Sequence, residues 1–283
     1  MTPVSLILEG GGMRGVYTAG VLDCFLDHAI TFPACYAVSA GACHACSYLS
    51  GQRGRGFATN VDYLQDRHYC SVYSLLTTGD LFGADMLYNR IPNELHPYDY
   101  AAFDRNPCRF YAVVTNCRSG RAEYLRVRDM RRDIVAVRAS SSLPMVSRMV
   151  SIGGKPYLDG GIADPIPLRK AMADGFRKHV AVLTQHDGYH KQPNELLPLL
   201  RARYARYPKL LEALRTRHTL YNETLRLIRR EQQAGRVFVL QPRQPVQFRR
   251  IEKDRTKLTA LYNQGYEDAE RNCAALLQFL GQA

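Results

Sequence analysis

Two short apolar segments each run into a turn of small residues and then into a helical pattern, and this doubled unit constrains the fold more than any other feature. Residues 4–8 are apolar and meet glycine at Gly10, after which a helix pattern extends over residues 15–28. Residues 35–38 read as a second buried strand, with a sharp turn at Ser39 and small side chains over residues 40–49 that suit a closely packed helix. Further strands are predicted at 110–115, at 123–127 after a turn at Gly120, at 179–184 and at 237–240. Strands interleaved with helices predict an α/β fold with a largely parallel sheet covered on both faces.

A protein of 283 residues, 46% of them hydrophobic, is large enough to bury a sizeable core, and it is read as a single domain over 1–283. That domain divides into a core of about 4–185, an amphipathic helical segment at 190–235, and a last strand and C-terminal helix at 236–283. In the middle part, apolar side chains recur at steps of three and four from Leu197 through Leu200, Tyr204, Tyr207, Leu211, Leu214, Tyr221 and Leu225 to Ile228, with His218 holding one place and arginines on the opposite face. Pro208 is expected to split this pattern into two helices. The arginine face is expected to be solvated, with a lipid-facing lid or a dimer seam as the other uses of such a segment. A final helix is expected over about 254–279.

The formal charge of +12 attracts anionic lipid headgroups, nucleic acid or acidic substrates alike. No zinc-finger spacing, RNP-like segment or helix-turn-helix signature accompanies it, so nucleic acid is not an expected partner. No apolar run reaches the roughly 18 residues needed to span a bilayer, which limits any membrane contact to the periphery. The eight irregularly placed cysteines read as reduced thiols of a cytoplasmic protein, and Cys43 with Cys46 as small buried residues of the helix after Ser39. No cluster has calcium-loop or zinc spacing, so no metal or cofactor is expected.

Three motifs carry chemistry. The first is Glu9-Gly10-Gly11-Gly12-Met13-Arg14-Gly15, whose glycines let backbone N–H groups approach a negative charge. A dinucleotide-binding loop of the same type needs an acidic residue about 20 positions on, and none lies between residues 30 and 49. The second is Ala37-Val38-Ser39-Ala40-Gly41, a strand-to-helix turn of the nucleophile-elbow type with alanine in place of the first glycine. Taken singly, Ser39 could equally be a helix cap. The third is Asp159-Gly160-Gly161, following Gly153-Gly154. A donor loop, an exposed serine and a loop aspartate supply three parts of one reaction.

In these motifs, and in Arg138-Ala139-Ser140-Ser141-Ser142-Leu143-Pro144, the protein resembles bacterial members of the patatin-like phospholipase family over about residues 4–185. The resemblance implies a three-layer α/β/α fold and a Ser39–Asp159 dyad, without a histidine, that hydrolyses acyl esters of phospholipids or related lipids. It implies an oxyanion site around Gly11 and Gly12 within the Gly10–Gly15 loop, with Arg14 either bracing that loop or favouring the anionic transition state. Two rivals stand beside it. A Ser-His-Asp triad would draw on His179, His186 or His190, and His44 lies one helical turn past Ser39. A non-catalytic membrane-binding module would use the basic helices as its function, with an anionic bilayer as partner.

Overall fold

The computed structural model describes residues 3–246 and 251–281, so residues 1–2, 247–250 and 282–283 of the expected domain lie outside the described residues. Strand β1 (Val4–Leu8) leads through the glycine loop and a 3-10 turn at Gly12–Gly15 into helix α1 (Val16–Asp27), and β2 (Ala34–Val38) delivers α2 (Ala40–Leu49). A helical excursion follows, made of α3 (Arg55–Val61), α4 (Val72–Thr78), a π-helix at Met86–Leu95 and α5 (Tyr100–Arg105). The backbone re-enters the sheet as β3 (Arg109–Asn116) and β4 (Ala122–Val127), then forms α6 (Met130–Ser140), β5 (Val150–Ile152) and β6 (Lys155–Asp159). It continues through α7 (Leu168–Ala173), β7 (Lys178–Val182), α8 (Leu197–Arg203), α9 (Pro208–Gln233), β8 (Val237–Leu240), α10 (Arg255–Arg271) and α11 (Cys273–Leu280).

The sheet runs β5-β6-β3-β2-β1-β7-β8, with β4 also paired to β3. Its five central strands from β3 to β8 are parallel, as expected, while β4, β5 and β6 pair antiparallel and make the sheet as a whole mixed. The reason is local. Tight turns at Gly120 and at Gly153-Gly154, all at positive φ, fold the backbone straight back, whereas a parallel neighbour needs a long crossover.

Alternation along the central strands sorts their side chains onto two faces. Leu6, Leu8, Cys35, Ala37, Val180 and Val182 pack towards the first face, with residues of α1, α2, α6, α10 and α11. Ile7, Tyr36, Ala181 and Leu183 pack towards the second, with α7 and α9. Each fully buried valine, leucine or phenylalanine contributes about 1.5–3 kcal/mol to this three-layer core. Pro208 begins α9, where its missing N–H costs nothing, so the expected break between two helices is observed. The expected single helix at 254–279 is instead two helices parted at Asn272, whose side-chain amide donates to the Asp268 carbonyl at 2.7 Å and competes with the helical ladder.

The C-terminal helix α10 lies along α1 at very close range. A Cβ on Gly20 would stand 2.1 Å from the Tyr262 carbonyl oxygen, and one on Gly265 would stand 2.1 Å from that of Tyr17. Three tyrosine hydroxyls bond aspartates across the seam: Tyr17 to Asp268 at 3.1 Å, Tyr262 to Asp23 at 2.7 Å and Tyr266 to Asp27 at 2.9 Å.

Candidate active site

Ser39 stands where β2 ends and α2 begins, with φ 54° and ψ −123°. For a residue with a side chain such a conformation costs on the order of 1–3 kcal/mol, and the surrounding contacts hold it in place. The Ser39 N–H donates to Ser140 Oγ at 2.8 Å, and the Ser39 carbonyl accepts from Ala42 and Cys43 N–H at 2.9 and 3.1 Å as the first turn of α2. Close approach of the glycine loop is the other condition. A Cβ on Gly10 would lie 2.9 Å from Ser39 Cβ and 3.1 Å from the Val38 carbonyl.

Register brings Asp159 to the same place. On β3, Val113 pairs with Val38 of β2, and the next residue, Val114, pairs with Asp159 of β6. Because β4 occupies the opposite edge at Val114 and Thr115, β6 must meet β3 on the edge that β2 has just left. Strands β2 and β6 therefore point their carboxyl ends at one another. Asp159 is fixed by its N–H to the Ser142 carbonyl at 2.8 Å, and its Oδ1 accepts from Gly161 N–H at 2.7 Å. Ser140 and Ser142, from the serine-rich segment before Leu143-Pro144, thus brace both residues.

The glycine loop is anchored through Glu9. Its N–H donates to the Val182 carbonyl at 3.1 Å, and its carboxylate accepts from Thr184 N–H and from the Tyr221 hydroxyl, both at 2.6 Å. Burial and the neighbouring Glu9 charge push the Tyr221 phenol well above its ordinary pKa, so it remains a donor.

Two cavities open on Ser39. The larger, about 1010 Å³ with its mouth included, is lined mainly by apolar and aromatic side chains such as Leu87, Tyr88, Ile91 and Met130. The smaller, about 420 Å³, is polar and brings together Gly10, Gly11, Gly12, Arg14, Ser39, Asp159 and Gly161 with Lys191, Arg217 and Tyr221. Gly12, Ser39 and Leu143 line both. Ser39 and Asp159 are only 6% and 4% exposed.

Four residues of the expected motifs serve packing instead of lining the polar cavity. Gly15 abuts Ala40, Gly41 abuts the Glu9 carbonyl, Gly160 abuts the Val113 carbonyl, and Ala37 is fully buried between Leu8 and Ala112. None of the candidate histidines lines the cavity that holds Asp159. His179 sits towards the opposite end of the strands, bonded to Ser5 Oγ at 2.7 Å, and burial pulls its pKa down to about 4. His190 is held by Asn222, and His186 lines a separate small pocket. His44 lines the apolar cavity, with a pKa also lowered to about 4 by burial.

The sequence model of the patatin-like phospholipases matches residues 6–172, more than half of the protein and all three motifs. The chain belongs to the patatin-like phospholipase family. The family is one of lipid acyl hydrolases, and its matched core ends within α7. A second model, a domain of unknown function (DUF6363), matches residues 207–281. The protein is 30% identical over 186 residues to the uncharacterized protein YjjU of Escherichia coli K12, covering 64% of this sequence and 52% of that protein, so it spans about half the length of that curated relative. It also aligns with the crystal structure of VipD from Legionella pneumophila at 11% identity and a TM-score of 0.47, over 97% of this protein and 67% of that one.

Beyond this patatin-like core, Lys191, Arg217 and Tyr221 are not among the site residues that the sequence predicts. Arg217 belongs to the arginine face expected to be solvated, yet its guanidinium donates to the Gly161 carbonyl in the aspartate loop. Tyr221 holds a core position, as its spacing predicts, and its hydroxyl reaches the glycine loop. The walls of the apolar cavity come largely from residues 55–100, where the sequence predicts no element.

Proposed function

We propose that the protein hydrolyses carboxylic esters of lipids through Ser39 and Asp159, by way of an acyl-enzyme. The observation that carries this reading is the placement of a strained, buried Ser39 at the junction of an apolar cavity and a polar one that holds Asp159. The acyl group occupies the apolar cavity, with the ester carbonyl at Ser39. Asp159 takes the Ser39 proton as Oγ attacks, and N–H groups of Gly11 and Gly12 hold the oxyanion. Arg14, on the same wall, supports that loop. The α2 dipole lowers the cost of alkoxide character. The alcohol leaves with the proton, and water then repeats the sequence on the acyl-enzyme.

Hydrolysis of short and long p-nitrophenyl esters and of a labelled phospholipid tests the reading. Ser39→Ala and Asp159→Asn are expected to lower kcat/KM by about a thousandfold or more, with the variants His179→Ala, His186→Ala and His190→Ala retaining activity. A comparable loss in one histidine variant would replace the dyad by a triad, and an inactive wild type would favour the membrane-binding module.

Peripheral contact with an anionic bilayer has support of its own. Helix α4 exposes Val72 and Leu76, at 67% and 80%, one turn apart between Tyr69 and Phe82, which line the apolar cavity. Among the described residues no helix is long and apolar enough to cross a membrane. Equal rates on neutral and anionic vesicles at every salt concentration would remove the bilayer from this reading.

A further inference from the structure

The seam between α1 and α10 ends in a group of side chains that the ester chemistry does not use. Cys24 stands in the last turn of α1 and His28 caps that helix, so the two lie one turn apart on the same face. Glu270 approaches from the last turn of α10. Its Oε2 lies 2.7 Å from His28 Nε2 and accepts from the Cys24 thiol at 3.5 Å, and the three ligand atoms all lie within 4.8 Å of one another. Spacing along the sequence conceals the group, since Glu270 follows His28 by 242 positions and belongs to the region that matches the domain of unknown function.

An ion pair between His28 and Glu270 accounts for two of these groups and leaves the third without a reason. A thiol, an imidazole and a carboxylate converging on one point are the three donor types of zinc sites. Metal–ligand bonds of about 2.0–2.3 Å set tetrahedral edges of about 3.3–3.5 Å. The Cys24–Glu270 separation already has that length, and the His28–Glu270 one needs to open by roughly 0.6 Å. There is room for this, because the His28 and Glu270 side chains are 34% and 48% exposed, whereas Cys24 is only 1% exposed and closes the floor. The same asymmetry gives an ion an entry path from solvent. Charge agrees as well. Asp27 is already paired with Arg53 at 2.6 Å and bonded by Tyr266 at 2.9 Å, so Glu270 and the Cys24 thiolate bring the two negative charges that offset a divalent ion. Cys273 packs in the same buried cluster as Cys24 but lies outside the group, which leaves the fourth position to water.

We infer that Cys24, His28 and Glu270 bind a zinc-type divalent cation, which ties the end of α1 in the patatin-like core to α10. Binding converts the Cys24 thiol to thiolate and releases its proton to solvent. Cys24 lies about 12 Å along α1 from the start of that helix at the glycine loop, so the ion is structural and takes no part in the chemistry at Ser39.

Metal uptake and stability test the site without reference to turnover. Tag-free protein stripped with EDTA is titrated under argon with zinc chloride against a chromophoric chelator, and separately with cobalt chloride. One zinc per protein is expected, and cobalt is expected to give a near-ultraviolet thiolate-to-metal band. His28→Ala and Glu270→Gln, both changed at the surface, are expected to bind zinc at least about tenfold more weakly, and Cys24→Ser to lose the cobalt band. Urea unfolding separates loss of the site from loss of the fold. Zinc is expected to raise the midpoint of the wild type and leave that of His28→Ala where it stands in EDTA. A wild type that takes up no zinc would reduce the group to an ordinary ion pair and overturn the site. Zinc held as tightly by His28→Ala as by the wild type, or a cobalt band that survives Cys24→Ser, would place the metal on other residues and overturn it equally. Binding with no rise in the midpoint would refute the tie between α1 and α10.

Discussion

The two cavities that meet at Ser39 are built from different stretches of sequence and by different forces. The apolar one is walled by the helical excursion between α2 and β3 together with α6, and its shape depends on how aliphatic and aromatic volumes fit. The polar one is made of loop backbone and charged side chains, closed by Lys191 and by two residues of α9. On the proposed function, the acyl group and the alcohol half of the ester meet different walls, with Ser39 as the common floor.

The most severe way to test this division is to remove the floor. Ser39→Ala is expected to abolish turnover of every ester alike, by about a thousandfold or more, whatever the acyl group or headgroup. Next comes a change confined to the apolar side. Leu87→Trp is expected to lower kcat/KM for p-nitrophenyl palmitate by about tenfold relative to p-nitrophenyl butyrate, because the added ring takes up space that only a long acyl group uses. A uniform loss on both esters would show that the cavity does not hold the acyl group.

The polar side can be loosened from behind. Helix α1 follows the glycine loop and packs against α10, so Gly265→Ala, whose new methyl would press on the Tyr17 carbonyl, is expected to cost about 1–3 kcal/mol of stability, read from urea unfolding. An unchanged midpoint would mean that the seam yields without strain.

The smallest effect is one of pH. Asp164, whose N–H donates to the Gly160 carbonyl at 2.9 Å beside the aspartate loop, has its carboxyl pushed up to about 6 by burial, against opposing contributions from the Tyr124 hydroxyl and Arg169. Because its folded pKa lies above the unfolded value of 3.8, the folded state binds the extra proton, and stability from this group is lost as pH rises from about 4 to 6. Asp164→Asn is expected to stabilise the protein at pH 8 by on the order of 1–2 kcal/mol, with the gain fading near pH 4. A gain that does not vary with pH would show that the carboxyl does not titrate in this window.

This division also explains what was legible in the sequence. The turn at Ser39, the glycine loop and the aspartate loop rest on local signals, namely small residues where backbones must approach, and the structure collects most of them around one cavity. Strands 4–8 and 237–240 and the break at Pro208 were legible because burial and proline act within a few residues. The hairpin at residues 150–159 was not, since β5 has three residues and β6 carries lysine and proline among its apolar positions. The π-helix with Pro92 departs from both periodicities that reveal helices and strands. Arg217 shows the limit most clearly: on the helix pattern it belongs to a water-facing row, and only the return of α9 over the aspartate loop turns it inward.

The seam between α1 and α10 bears on how such a protein can be divided. A fragment stopping at residue 172, where the similarity to the patatin-like family ends, would leave the glycine face of α1 open to water and deprive Asp23 and Asp27 of their tyrosines. The boundary of resemblance cuts across this packed helix pair, so the two matched regions are expected to be expressed best as one piece.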